Sequence, residues 1–146
     1  MEDARAIHRI LNYYGGRNFL LPRSLSEIYD HLRDYFVLEK DDQRGSVGGV
    51  CGLGICWEDL AEIRSLAIDD NLQGKGYGSR LVEACLHEAR LYRLKRVFVL
   101  TYIPDFFARF GFREVEKALL PHKIWADCVK CPKFPDCDET ALMFEV

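Results

Sequence analysis

Apolar residues recur at Ile7, Ile10, Leu11 and Tyr14, an i, i+3, i+4, i+7 spacing that lines one stripe of a helix. Gly15-Gly16 ends that helix. Ser24 with Glu27 three residues on forms a capping box, and Leu25, Ile28, Tyr29 and Leu32 mark a second amphipathic helix. The period then changes. Residues 35–39 predict a short strand, 41–45 a turn, and 47–57 a second strand with a bulge at Gly48, Gly49, Gly52 or Gly54. Residues 61–68 predict a third strand. A helical period returns over 79–93, with Leu81, Val82, Cys85, Leu86, Ala89 and Tyr92 inward. Arg80, Glu83, His87, Glu88 and Arg90 lie opposite or flank that stripe. Residues 96–102 predict a central strand, and Pro104 opens a short helix to 109 that Gly111 ends. Strands follow at 112–115 and 141–146. Between them, 116–138 has no period and carries Pro121, Pro132 and Pro135, so it reads as an insert. Two helices, a run of antiparallel strands and a strand–helix–strand unit predict a mixed α/β (α+β) sandwich.

Composition narrows the class. The 146 residues suit one domain, 1–146, and 49% apolar with 29% charged residues excludes a disordered or coiled-coil chain. The formal net charge of -3 offers no basic field to a nucleic-acid backbone, so no nucleic-acid partner is expected. Apolar runs such as 97–100 fall far below the ~20 residues of a membrane span, so no membrane partner is expected either. Glu2, Asp3 and Arg5 leave no apolar leader at the start, which points to the cytoplasm. In that compartment the six cysteines default to reduced thiols. Cys51, Cys56 and Cys85 read as small core residues. Cys128, Cys131 and Cys137 form a C-x2-C-x5-C cluster that His122 or Asp138 can complete as a zinc site. The missing second C-x2-C pair favours free thiols over a metal or a disulfide, and no metal is assigned.

The stretch 62–93 carries the most chemistry. An apolar strand runs into Gln73, Gly74, Lys75, Gly76, Tyr77 and Gly78, and an amphipathic helix leaves from Ser79. Glycines let a backbone approach a ligand closely, and the first N–H groups of a helix point out of its N-terminus. With the helix dipole they suit phosphate or pyrophosphate. The pattern lacks the G-x4-G-K-S/T of a P-loop and the G-x-G-x-x-G of a dinucleotide fold. A plain structural turn is the competing reading.

The form Gln-x-x-Gly-x-Gly, after a strand and directly before a helix, resembles the acetyl-CoA signature of the GNAT superfamily of N-acetyltransferases, Arg/Gln-x-x-Gly-x-Gly/Ala. Gln73, Gly76 and Gly78 fill its fixed positions. Phe107-x-x-x-Gly111-Phe112 resembles the second signature of that family except in its first residue. The order of elements agrees over about residues 4 to 115. The Leu-Pro-His-Lys-Ile-Trp at 120–125 and the cysteine run at 127–138 are similar to short bacterial amino-acid N-acetyltransferases resembling N-acetylglutamate synthase, of arginine biosynthesis.

The resemblance implies a twisted, mostly antiparallel mixed sheet with helices on both faces, and acetyl-CoA as co-substrate. It implies backbone contacts from Leu66, Ala67 and Ile68 to the pantetheine arm, and from Gln73, Gly74, Lys75, Gly76, Tyr77, Gly78 and Ser79 to the pyrophosphate. It implies a splayed gap between the strands at 61–68 and 96–102 through which the thioester meets the acceptor. Lys75 and Arg80 are solvated charges or partners of CoA phosphates. Glu62 sits where a glutamate acts as the base in the histone acetyltransferase branch; an exposed or ion-paired strand residue is the alternative. Strand alternation puts Glu62, Arg64, Leu66 and Ile68 on one face. Arg64 is then an ion-pair partner of Glu62 or a fork for an acceptor carboxylate. Lys123, after Pro121 and His122, is a second candidate for that carboxylate, or a surface lysine. The family's usual proton-donating tyrosine is replaced by Phe107, here counted with the cofactor contacts; Tyr102 or water is left as the acid. The family's first strand is missing before Asp3: either the chain start is shortened, or the neighbouring edge strand is left open, and an open edge invites pairing with another chain, as in a homodimer.

The expected activity is acetyl transfer from acetyl-CoA to the amine of a small acceptor, an amino acid such as glutamate, by direct attack in a ternary complex. The alternatives are a CoA-binding sensor without turnover and a protein or polyamine acetyltransferase.

Overall fold

The structure, a computed structural model, describes residues 3–15, 23–39, 47–117, 120 and 139–146. Helix α1 spans Asp3–Gly15 and α2 Leu25–Asp30, followed by a 3-10 turn at Leu32–Asp34. Strands β1 (Tyr35–Glu39), β2 (Val47–Trp57) and β3 (Leu60–Ile68) come next, then a 3-10 turn at Asp70–Leu72 and helix α3 (Tyr77–Leu91). Strand β4 (Arg96–Thr101), helix α4 (Pro104–Ala108), β5 (Arg113–Glu114) and β6 (Thr140–Glu145) complete the order. The six strands hydrogen-bond in the order β1-β2-β3-β4-β6-β5. Among the described residues no strand precedes α1, and β1 is an edge strand. No helix among them is long and apolar enough to cross a membrane. The chain forms two compact units, 1–54 with 63–88, and 55–62 with 89–146.

In the first unit, α1 buries Ala4, Ile7, Ile10 and Leu11 against Ile28 of α2 and Val47, Val50 and Ala67 of the strands. Each full burial of such an aliphatic side chain contributes about 1.5–3 kcal/mol, so the heptad-like stripe read from the sequence anchors the layer. Ser24 begins α2 as expected: its hydroxyl accepts from the Glu27 amide at 3.1 Å. The helix is shorter than its apolar period, because Leu32 lies in the 3-10 turn. Leu32 still packs on the same cluster.

The β1–β2 register skips Gly48: Leu38 faces Gly49 and Glu39 faces Val47. The bulge therefore falls on the first of the four candidate glycines. Its carbonyl accepts from the Asp69 amide at 2.8 Å and so ties down the end of β3. Residues adjacent on a strand face opposite ways. Val50 joins the α1–α2 layer, whereas Cys51 Sγ meets Cys85 Sγ of α3 at 3.6 Å. Helices thus cover this part of the sheet on both faces. The Cys51 thiol is raised well above its ordinary range by its bond to Cys85 and by burial. It stays a neutral core group, and Cys51 and Cys85 are free thiols.

The second unit is built on β6, paired antiparallel with β4 from Arg96–Glu145 to Thr101–Thr140, and with β5 on its other side. Leu60, Phe98, Leu120 and Ala141 form a hydrophobic cluster in it, with Cys56, Leu100, Val115 and Met143 at the margin. Helix α3 stops two residues earlier than its period suggests. Arg93 takes φ +58°, its amide reaches the Arg90 carbonyl, and the Leu94 amide reaches Ala89. These two bonds close the helix as a Schellman turn. Tyr92, expected inward, is exposed at this end, and buried Leu94 fills the hydrophobic position instead. The cluster Cys128, Cys131 and Cys137, with His122 and Asp138, lies outside the described residues. Among the described ones no group of His, Cys, Asp or Glu could hold a metal.

Replacing Ser24 with Ala should remove the cap of α2 and cost about 1 kcal/mol. A chain of this size should then melt roughly 2–4 °C lower. Ser26→Ala, at an exposed position inside the same helix, should melt like the parent. Equal melting of the two variants would show that the cap contributes nothing.

Candidate functional site

The glycine loop takes the form that its sequence requires. Gly74 and Gly76 have φ of +78° and +82°, in the left-handed region that β-carbon-bearing residues avoid. A Cβ at either one would meet no atom within 4 Å. Both therefore border open space. The first α-helical bond of α3 runs from the Arg80 amide to the Gly76 carbonyl at 3.3 Å. The amides of Tyr77, Gly78 and Ser79 precede it and have no acceptor within the helix. A left-handed glycine loop, orphan helical N–H groups and the positive end of a helix of fifteen residues make a cradle for a pyrophosphate. This donor set fits coenzyme A.

Gln73 has a bracing part in the loop. Its amide donates to the Ile68 carbonyl at 3.0 Å and to Asp70 Oδ1 at 3.4 Å. The other Asp70 oxygen accepts from the Tyr13 hydroxyl of α1 at 2.8 Å. Lys75 is exposed. The Arg80 guanidinium stacks over the Tyr77 ring, 5.9 Å from its centre.

Strand β3 does not alternate evenly along its length. A Cβ at Gly49 would lie 2.7 Å from Ile68 Cδ1, and one at Gly54 would lie 2.1 Å from an Arg64 nitrogen. Gly49 and Gly54 are five residues apart on β2 and so look to opposite faces. Ile68 and Arg64 are four apart on β3 and would share a face in a regular strand. The reversal falls at Ser65, whose φ is +59°. The expectation of one common face for Glu62, Arg64, Leu66 and Ile68 is therefore corrected. Ile68 turns toward α3, while Arg64 and Ala67 turn toward the α1–α2 layer. Ser65 carried no sign of this in the sequence, because nothing in a serine within an apolar strand marks a positive φ.

On the α1–α2 side a polar cluster gathers that spacing along the chain did not reveal. A hydrogen bond links the Ser65 hydroxyl to the Tyr35 phenol. Burial raises the Tyr35 pKa, opposed by the charges of Arg23 and Arg64 and by the Ser65 bond. The Arg64 guanidinium donates to Asp34 Oδ2 at 3.4 Å, and His31 Nδ1 lies 3.4 Å from the same oxygen. Arg23 reaches Glu27 Oε2 at 3.5 Å. Its side chain is only 11% exposed and that of Arg64 20%. Two largely buried arginines whose charges both act on one phenol offer a carboxylate the cationic, fork-shaped donors it binds best.

In the second unit Glu62 is half-buried on β3 between buried Ala61 and Ile63. Tyr102 follows the last residue of β4 and is half-buried. Phe107 is 2% exposed. Its ring meets Phe106 at 5.0 Å and Phe112 at 5.5 Å, edge to face. Lys123 lies outside the described residues.

A family model described as the acetyltransferase (GNAT) family matches residues 6–112. The chain belongs to the GNAT acetyltransferase family. It is an N-acetyltransferase that uses acetyl-CoA, and its six-stranded mixed sheet with helices is the fold of that family. It is 43% identical over 143 residues to an uncharacterized N-acetyltransferase of Chlorobaculum tepidum, covering 98% of this chain and 90% of the relative. It is 40% identical over 115 residues to an amino-acid acetyltransferase of Mycobacterium tuberculosis, covering 79% and 66%. A Mycobacterium tuberculosis protein crystallised with CoA and the ligand NLQ superposes with a TM-score of 0.83 at 31% identity, over 99% of this chain and 94% of that one. The N-acetylglutamate synthase of Neisseria gonorrhoeae, complexed with coenzyme A and N-acetylglutamate, superposes with a TM-score of 0.84 at 25% identity. This GNAT chain covers 32% of that synthase, and 97% of its own length is matched.

The loop geometry makes one consequence measurable. Gly76→Val would place a branched side chain in the open space of the cradle. Acetyl-CoA affinity, read by calorimetry, should fall at least tenfold, ~1.4 kcal/mol. Unchanged affinity in a folded variant would remove the loop from the cofactor site.

Proposed function

We propose that this GNAT enzyme acetylates the α-amine of a small acceptor bearing a carboxylate, an amino acid such as glutamate first, by direct attack in a ternary complex. The observation that carries the reading is the pair of largely buried arginines, Arg23 and Arg64, whose charges both act on the Tyr35 phenol. A polyamine or lysine-side-chain acceptor would need acidic walls instead. The relatives named amino-acid acetyltransferase support the same class, as does the neighbour that holds N-acetylglutamate. Lys123 keeps its place as a second candidate cation for the carboxylate.

In this reading the amides of residues 73–79 hold the pyrophosphate, and the backbone of Leu66, Ala67 and Ile68 receives the pantetheine arm. Phe107 counts with the cofactor contacts through its apolar ring. An acceptor amine is protonated at neutral pH, and Glu62 takes its proton directly or through one water. The freed nitrogen attacks the acetyl carbonyl, the C–N bond forms and the C–S bond breaks. Phe107 has no proton to return to the departing thiolate; Tyr102 or water supplies it. A thiolate leaves readily enough that turnover survives without a dedicated acid.

Glu62→Gln keeps the shape and removes the basicity. The rate should fall ~10²–10⁴-fold, the usual share of general-base catalysis, with acetyl-CoA binding intact. A variant within a few-fold of the parent across pH would leave Glu62 as a structural residue. Acceptor choice tests the other half. A charge-assisted bond to the carboxylate contributes about 1.5–3 kcal/mol. Free glutamate should thus exceed its α-amide analogue by roughly ten- to a hundredfold in kcat/KM. Equal acetylation of the capped analogue, or of a polyamine, would defeat the amino-acid assignment.

A further inference from the structure

Gly54 sits inside β2, where glycine is a poorer choice than alanine unless something demands it. Its backbone makes no such demand, since the positive-φ glycines are Gly74, Gly76 and Gly111. The demand comes from a side chain. A Cβ at Gly54 would lie 2.1, 2.6 and 2.9 Å from Arg64 Nη2, Cζ and Nε. The guanidinium occupies the space a methyl would take. At its far end the same Nη2 donates to Asp34 Oδ2 at 3.4 Å. An arginine has four flexible torsions, and a bare backbone on one side and a carboxylate on the other both constrain this one.

We infer that Gly54 and Asp34 are positioning residues that set the fork of Arg64 and, through it, the preference of the enzyme for a carboxylate-bearing acceptor. The inference rests on the acceptor reading given above. A planar fork recognises a carboxylate by direction as well as charge. A residue that shifts the fork without removing the charge should therefore alter acceptor selection and leave the cofactor half of the site alone. Gly54 is suited to this role, because the atoms a Cβ would strike belong to the movable end of Arg64 and not to backbone.

The test compares Gly54→Ala, Asp34→Asn, Arg64→Met and the Gly54→Ala/Arg64→Met double variant. The readouts are KM for acetyl-CoA, melting temperature, and the ratio of kcat/KM for glutamate over its α-amide. Gly54→Ala and Asp34→Asn should each lower that ratio roughly tenfold or more, since a misplacement of about 1 Å can cost up to ~10²-fold. KM for acetyl-CoA and the melting temperature should stay near those of the parent. In the Arg64→Met background Gly54→Ala should add nothing, as expected of two residues acting through one contact. If Arg64→Met loses the preference while Gly54→Ala and Asp34→Asn keep it, the seat is overturned and the acceptor reading of Arg64 stands. If Gly54→Ala lowers the ratio equally with and without Arg64, it acts by another route and the inference fails. If Arg64→Met keeps the full preference, the role of Arg64 falls and the inference falls with it.

Discussion

The left-handed backbone at Ser65 is the constraint on which both faces of β3 depend. Its φ of +59° costs about 1–2 kcal/mol in a residue with a Cβ. Without it Arg64 would share the face of Ile68, whose Cδ1 crowds Gly49 beside Leu81. A guanidinium pressed under α3 would lose its hydration with no room for partners, a larger penalty than the strain. The reversal lets apolar Ile68 serve the α3 interface and Arg64 the polar cluster, from positions only four apart. The hydrogen bond between Ser65 and Tyr35 engages the strained residue from the neighbouring layer.

What was legible in the sequence was what depends on near neighbours. The stripe of α1, the cap at Ser24, the bulge among four glycines and the loop before α3 each need only a few adjacent residues to be stated. The end of α3 was misjudged because Arg93, not glycine, takes the left-handed position that closes it. The polar cluster was invisible for a different reason. It draws on residues 23, 34, 35, 54, 64 and 65, which meet only when β1, β2 and β3 pair beside α2. Arg23 before a helix cap reads as solvated charge, and Gly54 reads as one more strand glycine. Their meaning lies in contacts made at long range.

The aromatic cluster explains a departure in the second signature. Phe107 is packed edge to face against Phe106 and Phe112, and Phe112 lies 5.2 Å from Phe144. A hydroxyl on so deeply buried a ring needs a partner or costs about 1–3 kcal/mol. Phenylalanine removes that requirement, and the core of this unit gains an apolar ring at the expense of a proton donor. Proton supply to a leaving thiolate is the less demanding half of the chemistry. In the proposed mechanism the amine must be deprotonated before any bond can form, so the carboxylate proposed as base at Glu62 would matter more than a phenol at 107.

Stability alone is a poor reason for the two arginines. Two of their contacts, to Glu27 and Asp34 at 3.5 and 3.4 Å, are long beside the roughly 2.7–2.9 Å of a strong charge-assisted bond. Largely buried ion pairs seldom repay the desolvation of both charges, and apolar substitutes of similar volume are often neutral or better. In the proposed acceptor role, two largely buried arginines whose charges act on the half-buried Tyr35 phenol would attract a carboxylate more strongly than the same charges in open water. Desolvating two guanidiniums is a cost that packing does not require, and it is the cost that the proposed acceptor site would have to meet before its ligand arrives.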